Sequence, residues 1–164
     1  GKWTYWKEDG RRYLEESYKD GVKDGLMIGW YPNGNKSLEQ GWKDDIRDGV
    51  FIAWYEDGQK KQEGNFVNDI KEGKMTYWYV DGKKWLEETY KDGKKSGKVT
   101  GYYPNGLKRM QEHWKDGTKD GQYFQWFGNG KEKIVGNYKD GKEAGKWFEY
   151  NKEGEIERIA NYDE

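Results

Sequence analysis

A 24-residue period runs through the chain without an insertion. Seven copies begin at Gly1, Gly25, Gly49, Gly73, Gly97, Gly121 and Gly145. Each has Gly at its tenth position, an aromatic at its sixth (Trp6, Trp30, Trp54, Trp78, Tyr102, Trp126, Tyr150) and another at its eighteenth (Tyr18, Trp42, Phe66, Tyr90, Trp114, Tyr138, Tyr162). An ungapped period of this length implies stacked supersecondary units, none able to bury its apolar face alone. One repeat domain over 1–164 is expected, divided 1–24, 25–48, 49–72, 73–96, 97–120, 121–144 and 145–164.

Each unit reads as a β-hairpin. Two short runs flank a turn whose clearest forms are Tyr31-Pro32-Asn33-Gly34 and Tyr103-Pro104-Asn105-Gly106. Pro before Asn-Gly favours a three-residue loop with Gly in the left-handed position. That loop predicts position four opposite fourteen, five opposite thirteen and six opposite twelve, so even positions share one face. The even face then collects the aromatics of positions six and eighteen, Ile28, Ile52, Phe124 and Phe148 at position four, and Leu14, Leu38, Leu86, Met110 and Ile134 at position fourteen. This face is the expected core. Glycine recurs in every run and no stretch keeps an apolar 3.6-residue period, which argues against helix. Strings such as YKDGVKDG are read as joints between hairpins rather than acidic cation loops, because alternating Lys cancels the charge and no acidic ligand follows at the needed spacing.

Only 32% of the residues are hydrophobic and 37% are charged, yet 10 Trp, 14 Tyr and 5 Phe oppose disorder. Lys and Arg (30) nearly balance Asp and Glu (31), which leaves no basic field for nucleic acid or anionic lipid. Without Cys there are no disulfides or thiolate metal sites. No apolar run approaches the ~20 residues of a membrane helix, so membrane insertion is not expected. Cytoplasmic and exported locations both stay open. The chain starts in mid-pattern without Met, which suggests an upstream segment.

The joint recurrence of aromatic-K-D-G, an x-G start, an aromatic six positions in and an N/D-G turn, as in YKDGKKSGKVTGYYPNGLKRMQEHWKDG, resembles the bacterial variant of the MORN repeat. The resemblance spans all seven copies. It implies an all-β fold: an elongated, twisted antiparallel sheet of consecutive hairpins, open at both ends. It further implies a protein-binding scaffold, and bacterial proteins of this kind often carry an antitoxin-like label. Departures are Asp45 and Asp69 where the joint Gly is expected, and a Lys-rich last copy.

With the even face committed to the core, binding is expected on the odd face. Position seven supplies a ladder of Tyr31, Tyr55, Tyr79 and Tyr103, followed by Phe127. Positions five and thirteen are both aromatic only in copies one and four, as Tyr5 with Tyr13 and Tyr77 with Trp85, and such pairs are platforms a partner could grip. Duplication of a three-repeat block explains the same pairs without function. Glu153, Glu155, Glu157, Arg158, Asp163 and Glu164 read as a solubilising cap on the last edge. Trp3 and Tyr5 lie by the first edge, which an upstream segment or another chain would have to cover.

No catalytic constellation is found. His113 is the one histidine, no serine sits in a nucleophile elbow, and the doublets Glu15-Glu16 and Glu87-Glu88 point to opposite sides of a strand. A non-enzymatic chain without cofactor or metal is expected. Three functions remain: a protein-interaction scaffold, a carbohydrate or quaternary-ammonium binder using aromatic platforms, and a structural spacer or self-assembling subunit that uses its edge strands.

Overall fold

The structure, a computed structural model, describes residues 1–162; within them every regular element is a β-strand. Asp163 and Glu164 of the expected cap lie outside the described residues. The chain forms two compact units, Gly1–Gly82 and Lys83–Glu164, divided at the turn glycine of the fourth copy. The first unit holds β1 (Lys2–Trp6), β2 (Arg12–Lys19), β3 (Val22–Trp30), β4 (Lys36–Lys43), β5 (Ile46–Trp54), β6 (Lys60–Val67), β7 (Ile70–Lys71) and β8 (Gly73–Trp78). They pair antiparallel in chain order, with the short β7 and then β8 both against β6. The second unit holds β9 (Lys84–Lys91), β10 (Lys94–Lys95), β11 (Gly97–Tyr102), β12 (Lys108–Lys115), β13 (Thr118–Trp126), β14 (Glu132–Lys139), β15 (Lys142–Tyr150) and β16 (Ile156–Asn161). The same meander recurs there, with β10 and β11 both against β9.

The hairpin tips form the expected three-residue loop. Gly34 N–H donates to the Tyr31 carbonyl at 3.0 Å and Tyr31 N–H to the Asn35 carbonyl at 2.8 Å, with Gly34 at φ 90°. Position six then faces twelve, as in Trp30 with Lys36. Beyond that pair the register departs from expectation. Gly29 faces Leu38 rather than Ser37, and Ile28 faces Glu39 rather than Leu38. The same shift recurs in copies one, three, five, six and seven. The second strand carries a one-residue bulge at position thirteen. Its occupants (Tyr13, Ser37, Lys61, Arg109, Lys133, Glu157) share no chemistry that would announce it.

A one-residue slip turns every later side chain to the opposite face. Positions four and six therefore share a face with twelve and fifteen, and Phe124 stacks on Trp126 at 5.6 Å there. Positions three and five share the other face with fourteen, sixteen and eighteen, where Phe51 meets Phe66 at 5.8 Å and Tyr123 meets Tyr138 at 5.7 Å. The aromatics of positions six and eighteen, expected together, lie on opposite faces. The most deeply buried apolar side chains are Met75 (0% exposed) and Val99 (1%) at position three, followed by Phe66 and Trp147. The densest packing thus lies on the face assigned to binding from the sequence. Thr76 and Thr100 at position four are buried on the other side.

The joints are two-residue turns. Lys19 pairs with Val22, leaving Asp20 (φ 49°) and Gly21 (φ 90°) as the loop, the left-handed pair whose twist matches antiparallel strands. At the second and third joints Asp45 (φ 63°) and Asp69 (φ 64°) take the glycine's place. Their carboxylates offset the backbone cost. Asp45 Oδ1 accepts from Lys23 N–H at 2.7 Å, while Asp69 Oδ1 accepts from Arg47 N–H at 3.1 Å and Nε at 2.8 Å.

Candidate interaction surfaces

Along the tips, position seven joins one copy to the next. Tyr31 Oη donates to the Trp54 carbonyl at 2.7 Å, Tyr55 to Trp78 at 2.8 Å and Tyr103 to Trp126 at 2.8 Å. The turn asparagines act in parallel: Asn33 Nδ2 reaches the Glu56 carbonyl and Asn105 Nδ2 the Gly128 carbonyl. Arg11 and Lys83 extend to the carbonyls of Pro32 and Pro104 in the following tips. Three of the four expected ladder residues are therefore spent on inter-repeat bonds. Tyr79, at the same repeat position, is half-buried after β8.

The face with position six carries a repeating cation row. Arg12 lies 3.7 Å from the Trp30 ring centre, and Lys36, Lys60 and Lys108 lie 5.5 to 5.9 Å from Trp54, Trp78 and Trp126. Each of the first three cations also pairs with the glutamate three residues on: Arg12 with Glu15, Lys36 with Glu39 and Lys60 with Glu63. Arg12, Lys36 and Lys60 thus each sit between a carboxylate of their own strand and the next copy's indole, a geometry that favours the cation. In the second unit Lys84 pairs with Glu87, and Tyr102 Oη donates to Glu87 Oε2 at 2.6 Å. Burial first, then this bond, pushes the Tyr102 hydroxyl up to about 12.

The opposite face holds buried carboxylates that sequence reasoning missed. Glu16, Glu88 and Glu112, all at position sixteen, are almost wholly buried. Glu16 accepts from Tyr18 Oη at 2.9 Å and pairs with Lys23 at 2.7 Å; Glu88 does the same with Tyr90 and Lys95; Glu112 takes Trp114 Nε1 and Lys119. Burial acts to raise the Glu16 carboxyl, but the Lys23 and Tyr18 bonds outweigh it and hold it below its ordinary range. Its bond to Tyr18 drives that hydroxyl up to about 12. The recurrence of Glu, aromatic and Lys at positions sixteen, eighteen and twenty-three was the available signal. These clusters are fully partnered, and they tie each copy to the next.

Where position sixteen is Gly, the next copy's third residue fills the space. A Cβ on Gly64 would lie 1.9 Å from Met75 Sδ, and one on Gly136 would lie 2.2 Å from Trp147 Cδ2.

Tyr5 and Tyr13 do meet, with ring centres 6.3 Å apart, although Tyr5 pairs with Leu14 and Tyr13 is the bulged residue. Trp3, Tyr5 and Tyr18 line an open hollow of about 510 Å³ beside Gly1, Asp20 and Gly21. Trp3 is 62% exposed and Trp6 60%, whereas Trp147, at the position of Trp3 in the last copy, is 7% exposed. Tyr77 is half-buried on β8, opposite Gln62, and Trp85 is half-buried on β9; they belong to different units. At the far end the expected cap leaves Ile156 and Ile159 exposed on β16, and Tyr162 exposed just after it. His113 Nδ1 is held 3.2 Å from the Gln122 carbonyl. Among the described residues no three His, Asp or Glu side chains are grouped to hold a metal ion.

No curated protein matches the chain. A family model described as MORN repeat variant matches residues 47–68 and 71–92, two stretches that start one 24-residue period apart, in the phase of the hairpins seen here. Those two stretches are similar to the MORN repeat variant.

Proposed function

We propose that the chain is a non-catalytic scaffold that engages another protein through aromatic side chains left open on its first hairpin. One observation carries this reading: Trp3 and Trp6 are more than half exposed, while residues at the same repeat positions elsewhere are half-buried or buried. Large aromatics at the centre of a patch supply most of the energy in protein interfaces. Tyr5 and Tyr13 add a paired platform beside them. The resemblance to MORN arrays agrees with a scaffold role.

Small-ligand binding by aromatic platforms has less support. Along the array the rings already face a protein cation, as Trp30 faces Arg12. The test is a partner-capture assay with the immobilised chain, comparing the native protein with a Trp3→Ala, Trp6→Ala variant of unchanged far-UV circular dichroism. Loss of capture in the variant is expected. Equal capture by both refutes the patch.

A further inference from the structure

We infer that Asn129-Gly130 is a site of covalent modification: of three Asn-Gly turns with the same local chemistry, it is the one this fold leaves free to deamidate.

Asn-Gly occurs as Asn33-Gly34, Asn105-Gly106 and Asn129-Gly130, each time at the ninth and tenth positions of a hairpin tip. Glycine puts no side chain beside the attacking nitrogen, which suits the reaction. The Gly130 nitrogen gives its proton to a base of the medium and bonds Asn129 Cγ. The Cγ–Nδ2 bond breaks and ammonia leaves, closing a succinimide. Water then opens the imide at Cγ to give aspartate, or at the main-chain carbonyl carbon to give isoaspartate. Water replaces ammonia, and nothing is oxidised or reduced.

All three tips are exposed and share one set of restraints. Gly34, Gly106 and Gly130 N–H donate to the Tyr31, Tyr103 and Phe127 carbonyls at 3.0, 2.8 and 2.9 Å. Each asparagine Oδ1 accepts the N–H two residues on at 3.0 Å. Attack requires these bonds to open, so its rate follows how often the tip does.

What differs is what holds the tip shut. Asn33 Nδ2 donates to the Glu56 carbonyl at 2.6 Å and Asn105 Nδ2 to the Gly128 carbonyl at 2.7 Å. The Tyr31 and Tyr103 hydroxyls tie the same two tips to the next copy, and Pro32 and Pro104 fix φ at the first turn residue. The sixth tip has lost each of these. Phe127 has no hydroxyl, Gly128 stands where the proline would be, and among the described residues no carbonyl accepts from Asn129 Nδ2. One tie persists, from Lys131 Nζ to the Glu153 carbonyl at 2.9 Å, and it starts outside the turn. Phe127, Tyr150, Asn151 and Lys152 line an open hollow of about 370 Å³ beside the tip, which gives water access from the side of the next copy.

The two products differ in consequence. Aspartate already occupies position nine as Asp9 and Asp57, whose Oδ1 atoms accept from Arg11 and Gln59 N–H at 3.0 and 2.9 Å, so an aspartate at position 129 keeps the tip. Isoaspartate lengthens the main chain inside the loop closed by Phe127 N–H on the Lys131 carbonyl at 2.8 Å, and that product opens the hairpin end.

The test ages the 164-residue chain in mildly alkaline buffer and follows each asparagine by proteolytic peptide mass, with chromatography separating aspartate from isoaspartate. Asn129 is expected to gain the amide-to-acid mass ~10-fold faster or more than Asn33 and Asn105, as two missing bonds of ordinary strength imply. In concentrated urea the three rates should converge, because the ties are gone. A Phe127→Tyr, Gly128→Pro variant copies the second and fifth tips and should slow Asn129 towards their rate. Circular dichroism checks its folding, and the comparison of the three native sites decides alone if the variant fails that check. Equal rates at the three sites of the folded chain, a preference for Asn129 that persists in urea, or a folded variant that reacts as fast as the native chain overturns the proposal.

Discussion

Gly136→Ala asks how rigidly one copy is keyed to the next. The added methyl would stand 2.2 Å from Cδ2, 2.4 Å from Cε2 and 2.6 Å from Cε3 of Trp147. Carbon contacts settle near 3.5 to 4.0 Å, so the indole must retreat by roughly 1.3 Å. It has little room, being 7% exposed and packed on Tyr138 at 5.0 Å and Tyr123 at 5.5 Å. Overpacking costs about 1–3 kcal/mol, and each disturbed ring pair adds about 0.5–1.5 kcal/mol. We expect a loss of about 2–3 kcal/mol, read as the shift in urea midpoint followed by far-UV circular dichroism. Trp147→Ala should cost about 3–5 kcal/mol alone. In that background the Gly136→Ala methyl enters vacated space, so its effect should vanish, giving a coupling of about 2 kcal/mol or more. Additivity of the two changes within about 0.5 kcal/mol would refute the steric keying. Gly64→Ala is an internal control: it meets Met75 through a flexible thioether, which can swing aside, so a loss nearer 1 kcal/mol is expected.

Three further outcomes follow from the bonds between copies. Tyr55→Phe removes the hydroxyl bond to the Trp78 carbonyl and should cost about 1 kcal/mol of stability in a denaturant titration, leaving partner capture unchanged. Asp69→Gly should be nearly neutral in thermal melts, since relief of the left-handed backbone offsets the lost Arg47 pair, whereas Asp69→Ala loses the pair, keeps the strain and should melt below both. Stability against pH should fall at both ends. Glu16, held below its ordinary 4.5, contributes above that value and loses its contribution as pH drops through the folded value; Tyr18 and Tyr102 contribute below 10 and lose it between 10 and about 12. Melting temperatures of native and Glu16→Gln chains from pH 3 to 12 check this, because the variant should lose part of both limbs.

The hairpins, their three-residue tips and the phase of the repeat were legible because Gly, Pro and Asn act locally and recur. The faces were not. The bulge at position thirteen is filled by Tyr, Ser, Lys, Arg and Glu in turn, so nothing in the residue type marks it, yet it exchanges the partners of every position beyond it. That single residue moved Phe66 and Tyr138 away from the indoles of position six and buried Met75 and Trp147 where binding was expected. The Tyr31, Tyr55 and Tyr103 ladder was legible as a ladder, but its bonds run to backbone carbonyls 23 residues on, which side-chain patterning does not display. The contact of Tyr5 with Tyr13 survived the altered register because the bulged ring still reaches across the pair.

The two-residue joints also set how such a chain can change length. Asp20-Gly21 and Asp44-Asp45 leave no slack between strands, and within each unit later joints are anchored beside the preceding one: Asp45 N–H donates to the Lys23 carbonyl, Asp69 N–H to Arg47 and Gly117 N–H to Lys95. A one-residue insertion within a strand would put the carboxylates of position sixteen among the indoles of position six, while an insertion of 24 residues would meet the same anchors and the same partners. Point substitutions can vary such a sequence freely at the bulge and on the edges, but its length is quantised: it grows or shrinks by the whole hairpin.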